Sequence, residues 1–259
     1  LFTEGPTVDA AGNVYFTDQP NDRIHVWSVD GKLSTFLESA GRANGLCFDA
    51  NGDLWACADG KNELWRIDVK TKTHTVVVKD FAGKLLNGPN DLWVTPAGGV
   101  YFTDPFYKRK YWDRGPEEQD KRGVYFLPPG GTLTRAADGF TQPNGVVGTP
   151  DGKTLYVADI GAKKTFAFDV QADGALGNRR EFCPQGSDGM TLDEHGNVYL
   201  TGAGGVSVYD KGGQKVATVA VPGSASNVVF GGADGTTLFI TAGKALYGVK
   251  MAVKGASRQ

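Results

Sequence analysis

The chain has 259 residues, and its 27 basic against 29 acidic side chains give no electrostatic footprint for nucleic acid or an anionic membrane surface. Hydrophobic residues make up 40 %, enough for a core, yet no stretch approaches the roughly 18 apolar residues of a membrane span. The 37 Gly and 12 Pro punctuate apolar runs and form no low-complexity tract. Three cysteines, Cys47, Cys57 and Cys183, lack metal-ligand spacing. Cys47 and Cys57 lie in strand-like runs and read as buried small hydrophobes, with a disulfide between them as the alternative. The chain begins with Leu1, so a preceding segment is expected. A removed leader would place the protein in the periplasm or outside the cell, and no leader in the cytoplasm.

From the N-terminus, the predicted elements are strands over 6–9 and 14–17 joined by a turn at 10–13, an alternating strand over 23–29, and a fourth over 33–37. The opening phrase of this unit, EGPTVDAAGNVYFTD from Glu4, then returns five times. The copies are NGLCFDANGDLWACA from Asn44, NDLWVTPAGGVYFTD from Asn90, NGVVGTPDGKTLYVAD from Asn144, DGMTLDEHGNVYLTG from Asp188 and NVVFGGADGTTLFIT from Asn227. Their starts are 40, 46, 54, 44 and 39 residues apart. A period of this length with several short strands is that of a propeller blade. The expectation is an all-β, six-bladed β-propeller with mostly four-stranded antiparallel blades around a central channel, formed by residues 1–259 as a single domain. Gly12, Gly52, Gly152, Gly196 and Gly235 supply the turns. Tyr15, Trp55, Tyr101, Tyr156, Tyr199 and Phe239 recur in the second strand, where they are expected to pack blade on blade. The sixth repeat offers strands only over 227–230, 237–241 and 245–250. Its fourth is expected from upstream of Leu1, with 251–253 as a substitute.

The first residue of each phrase carries a side-chain oxygen: Glu4, Asn44, Asn90, Asn144, Asp188 and Asn227. In an antiparallel meander these head residues share one face with the loops joining strands two and three. One such loop, 105–122, is much longer than the others and dense in aromatic and basic residues, as a lid would be. Oxygen ligands suit a hard cation, and two acids would neutralise Ca2+ or Mg2+. Zinc would want His or Cys, but His25, His74 and His195 occupy unrelated repeat positions, with His25 nearest the functional end. No nucleophile elbow, phosphate-cradling loop or dinucleotide fingerprint is present, and Ser187 lacks a placed histidine. Any single head residue could equally be a strand cap. Asp9, Asp49 and Asp193 in turns, and Asp18, Asp104 and Asp159 at strand ends, read as structural. Glu4 and Asp188 break the asparagine pattern, and that asymmetry points to metal-assisted chemistry.

The pieces EGP at Glu4, NGPND over 87–91, FTDP from Phe102, QPNG from Gln142, VAD ending at Asp159 and SDGM from Ser187 carry a further signal. Together they make the chain resemble, along essentially its whole length, the senescence marker protein, gluconolactonase and luciferin-regenerating-enzyme family of six-bladed propellers. The resemblance implies one divalent metal in the channel, usually Ca2+, with Mg2+, Mn2+ or Zn2+ as other candidates. It implies Glu4, Asn90, Asn144 and Asp188 as the ligands, with Asn227 outside the set and Asn44 facing the substrate. It further implies hydrolysis of a sugar lactone such as gluconolactone, with Asp188 as the base and Glu4 second, or with the proton passing through water on the metal. The expected partner is thus a small-molecule lactone, and the expected assembly a monomer or weak homo-oligomer. Two departures stand out. Animal members carry arginine where this chain has Gly88, which leaves Arg109, Arg114 or Lys108 of the lid to orient the substrate; Tyr107 and Trp112 join Arg109 as substrate-facing candidates. Bacterial members tend to carry histidine in the second-repeat pocket loop, where this chain reads CADGKNEL with Asp59. Ester or phosphotriester hydrolysis on the same metal, and a non-catalytic ligand-binding propeller, are the competing functions. Two acids in the channel favour an enzyme.

Overall fold

The computed structural model describes residues 1–112 and 114–256. The chain folds as antiparallel meanders that pair in sequence order. Blade one is β1 (Thr3–Val8), β2 (Val14–Asp18), β3 (Arg23–Trp27) and β4 (Leu33–Glu38). Blade two is β5 (Leu46–Phe48), β6 (Leu54–Ala58), β7 (Glu63–Asp68) and β8 (Thr73–Val78), followed by a small hairpin of β9 (Asp80–Phe81) and β10 (Lys84–Leu85). Blade three is β11 (Leu92–Val94), β12 (Val100–Asp104), β13 (Gly123–Leu127) and β14 (Thr134–Ala137). Blade four is β15 (Pro143–Gly148), β16 (Thr154–Asp159), β17 (Lys164–Val170) and β18 (Leu176–Cys183). Blade five is β19 (Met190–Leu192), β20 (Val198–Tyr209) and β21 (Lys215–Ser224), and blade six is β22 (Asn227–Gly231), β23 (Thr237–Ala242) and β24 (Ala245–Lys250). These six sheets form a six-bladed propeller. In blade five Val198 and Leu200 pair with β19 while Val206 and Val208 pair with β21, so β20 stands in for the second and third strands of the other blades.

The second strands show why the repeat folds this way. Successive strand residues point to opposite faces, and in β6 Leu54, Ala56 and Ala58 face blade one while Trp55 and Cys57 face blade three. A strand covered on both faces reads as a continuous apolar run. The six recurring aromatics fall one into each of the six hydrophobic clusters, and every cluster joins two neighbouring blades. Cys47, Cys57 and Cys183 are buried free thiols, so the disulfide alternative is not realised.

Blade six has the three strands its repeat offers, and the substitute for a fourth is not realised. No fourth strand pairs with β24 among the described residues, and 251–253 form none. Met251 and Val253 instead pack on the cluster between blades five and six, and Glu194 N–H donates to Lys254 O at 2.9 Å. The ends of the ring meet through β1: Thr3 N–H donates to Gly243 O at 2.9 Å, Thr3 Oγ1 to Ala245 O at 3.0 Å, and Ser226 Oγ to Thr3 O at 2.8 Å. Among the described residues, the buried members of the apolar cluster at this seam are Val14, Val229 and Phe239.

Candidate metal and active site

Three of the six head residues are held through their carbonyls by a neighbouring blade. Thr17 of β2 donates its hydroxyl to Asn44 O at 3.1 Å, and Thr103 of β12 donates to Asn144 O at 2.7 Å. Gly45 N–H donates to Asn90 O at 2.7 Å. The aspartates that end second strands clamp the backbone leading into the same blade's head residue. Asp104 accepts the N–H groups of Asn87 at 2.9 Å and Gly88 at 2.8 Å, Asp159 those of Thr141 and Gln142 at 2.8 Å each, and Asp18 that of Phe2 at 3.3 Å. Their structural reading holds. The turn aspartates Asp9, Asp49 and Asp193 likewise accept backbone N–H groups within their own turns.

At the channel, β1 begins earlier than the sequence predicts and carries Glu4 at a register shift between Glu4 and Thr7; β15 carries Asn144 at the corresponding shift between Pro143 and Val146. Glu4 Oε2 accepts the Gly5 N–H at 3.0 Å, but Glu4 Oε1 is buried with no donor. Asn144 Nδ2 donates to Tyr107 Oη at 2.7 Å, and Asn144 Oδ1 is buried with no donor. Asp188 is half-buried, lies next to both, and interacts with the Glu4 carboxyl. Burial pushes Glu4 well above the usual carboxylate range, and the adjacent Asp188 charge pushes it further. Burial also raises Asp188, opposed by the Glu4 hydrogen bond and the Arg109 guanidinium. Asn90 and Asn44 are buried, each with an unpartnered Nδ2.

These atoms fit a hard cation. Two carboxylates and amide oxygens are the right donor types, and buried acceptors without donors are costly unless something positive satisfies them. Among the described residues no three His, Cys, Asp or Glu side chains converge on one position, because half of this donor set is amide. His25 bonds Thr35 across β3 and β4, and His74 stacks on Trp65 at 3.7 Å, so neither lies on the channel.

Asp91 is a channel residue that the sequence reading missed. Its carboxylate accepts Leu92 N–H at 3.0 Å and Val146 N–H at 3.4 Å, and meets the Asn227 amide of blade six. Burial pushes it to about 7. A Cβ at Gly45 would strike Asp91, and one at Gly189 would strike Asn227, so the ring packs this tightly only because glycine follows those heads. The visible signal was Asp91 itself, a carboxylate following Asn90 where four other heads are followed by glycine.

The described residues of the loop 105–122 lie over this face. Arg109 sits over the rings of Phe2, Tyr107 and Trp112 at 5.4, 5.1 and 5.3 Å and acts electrostatically on Asp188; its Nε is buried and unpartnered. Trp112 Nε1 is also buried without an acceptor. Lys108 is exposed. Arg114 is not free for substrate: it pairs with Asp59 at 2.7 Å, with only 7 % and 1 % of the two side chains exposed.

A propeller with a polar, acid-containing channel under a loop defines the class of protein, and comparison with known proteins gives the family. The SMP-30/Gluconolactonase/LRE-like region matches residues 2–244, and the chain belongs to that family. It is 32 % identical to a gluconolactonase of Zymomonas mobilis over 93 % of this chain and 76 % of the relative. A solved gluconolactonase from Xanthomonas campestris superposes with a TM-score of 0.90 at 34 % identity, covering 96 % of this chain and 85 % of that one. The calcium-binding protein regucalcin from Agrobacterium tumefaciens shares the fold, with a TM-score of 0.82 at 21 % identity over 100 % of this chain and 92 % of its own. Among the described residues no helix is long and apolar enough to cross a membrane.

Proposed function

We propose that the chain hydrolyses a sugar lactone such as gluconolactone in this channel, with one divalent cation, Ca2+ by the hardness of the donors, held by Glu4, Asn90, Asn144 and Asp188. The observation that carries this reading is the pair of buried, donorless oxygens, Glu4 Oε1 and Asn144 Oδ1, beside the half-buried Asp188. The family and the gluconolactonases at 32 % and 34 % identity support the substrate class.

A cation bound there supplies Lewis-acid polarisation of the lactone carbonyl. The remaining steps fall to the chain's own side chains. Asp188 takes a proton from the attacking water, with Glu4 second in that role. As the water oxygen bonds to the carbonyl carbon, the ring C–O bond breaks. The proton passes from Asp188 to the leaving oxygen, which yields an open-chain hydroxy acid. Arg109 orients the bound lactone through its unpartnered N–H, backed by the faces of Tyr107 and Trp112, and Asn44 faces the substrate from blade two.

The test is elemental analysis of the purified protein together with a lactone panel followed by proton release, with and without chelator. Stoichiometric divalent metal and chelator-sensitive opening of an aldonolactone are expected. Bound calcium with no turnover on any lactone would overturn the enzyme in favour of a ligand-binding propeller.

A further inference from the structure

Blade two departs from its neighbours at one position. Blades one, three and four end their second strands on Asp18, Asp104 and Asp159, which clamp backbone of their own blade. Blade two has Ala58 at that register position, and its carboxylate comes one residue later, at Asp59. Asp59 clamps no backbone of its own blade's approach segment. Its Oδ1 takes the Arg114 guanidinium at 2.7 Å and its Oδ2 accepts from Gln19 Nε2 at 3.1 Å. Arg114 also donates to the Asp59 carbonyl oxygen and, at 2.8 Å, to Asn87 O.

This pair sits in space left by Gly88. A Cβ there would collide with both the Arg114 guanidinium and Asp59 Oδ1, and φ at Gly88 is +136°. The position that lacks a side chain is therefore filled by an arginine reaching in from the loop. We propose that Arg114 and Asp59, seated against Gly88, latch the loop over the channel and thereby hold Arg109 over the ring of Tyr107, whose hydroxyl accepts from Asn144 at the channel. The connection is short. Both guanidinium groups sit at the Trp112 ring, Arg114 at 4.2 Å and Arg109 at 5.3 Å from its centre, and Tyr111 Oη donates to Gln19 Oε1 at 2.9 Å. The latch governs the first half of the loop. The second half is anchored separately, by Gln119 Nε2 donating to Phe81, Lys84 and Leu85 carbonyls and by Glu118 accepting Leu85 N–H. Arg114 and Asp59 are thus positioning residues, and the kinetic part of this inference rests on the lactonase reading.

Exposed Lys108 and Lys110 flank Arg109 and make the latched half a trypsin target. In the full-length protein, Arg114→Ala and Gly88→Ala should speed nicking over 108–110 by about tenfold, because cleavage follows the population of open loop, while Lys121 and Arg122 are cut at the parental rate. Arg114→Lys, which loses the planar fork but keeps the charge, should nick at an intermediate rate. With lactone, Arg114→Ala should raise KM by about tenfold, and adding Arg109→Ala to it should cost less than about twofold more, since the two act as one unit. Parental nicking in both variants, or an Arg109→Ala effect of equal size in both backgrounds, would overturn the latch. Should Arg114→Ala fail to fold, Gly88→Ala, which keeps both charges, decides. If the parent protein opens no lactone, the functional reading falls while the nicking comparison still decides the latch.

Discussion

The layers between blades and the face of the channel are built from the same six phrases, yet they follow opposite rules. Between blades, each second strand contributes its recurring aromatic to one interface, so that every interface holds one, and the layers are apolar. At the channel, the first letters of the same phrases leave Glu4 Oε1, Asn44 Nδ2, Asn90 Nδ2 and Asn144 Oδ1 buried without partners, and two acids lie side by side. A chain under selection for stability alone would satisfy those atoms or replace them. The difference teaches that the repeat is kept symmetric where it packs and made asymmetric at the channel, where we propose that it reacts. Local rules are broken at the site and upheld elsewhere.

The largest expected effect breaks the channel side of that comparison and leaves the packed side intact. Asp188→Ala should lower lactone turnover by roughly 10²–10⁴-fold, the range for loss of a general base. The variant should stay folded, because a like charge next to Glu4 is removed. Full activity with full metal content in that variant, measured by proton release and elemental analysis, would reject the assignment. The converse change lies in the packed layers. Leu54 is fully buried between blades one and two, and Leu54→Ala should cost about 2–5 kcal/mol in denaturant unfolding while kcat of the folded fraction is kept. A loss below about 0.5 kcal/mol would mean the interface collapses onto the gap.

The smallest effect links the two regions through pH. Burial raises Glu4 and Asp188, and carries Asp91 and Asp104 to about 7. With folded values above unfolded ones, the native state binds more protons between about pH 4 and 7, so stability is highest at the acid end of that window and falls as pH rises through it. In chelator, Tm should therefore drop from pH 5 to pH 8. Added Ca2+ should remove part of that drop, since a cation favours ionised Glu4 and Asp188. A Tm that rises across this range in chelator would show that these carboxylates are stabilised as anions without metal.

The blades were legible because their signal is local. A run such as VYFTD at Val100–Asp104 is apolar on both faces, and its turn precedes it immediately. The polar ring was legible because one residue type recurs at one place in each phrase. The latch was not, since Asp59 and Arg114 are 55 residues apart and belong to different blades. Arg114 read as a free guanidinium and Asp59 as an oddity; only their contact over Gly88 explains both. Closure was legible only in part. The sixth repeat read as three strands, and β24 stands unpaired on its outer side among the described residues. The docking of β1 on blade six through Thr3 and Ser226 hydroxyl bonds, however, joins residues from opposite ends of the chain.

The sequence by itself determined the number of blades, the residues that pack between them, and the first letters that surround the channel, because each follows from periodicity within a single repeat. Tertiary structure alone decided which of those letters lack partners, that Asp91 and Asn227 meet at the channel, and that a loop from blade three is held by an acid of blade two. Those facts depend on distances between residues far apart in the chain, and such distances exist only once the ring has closed.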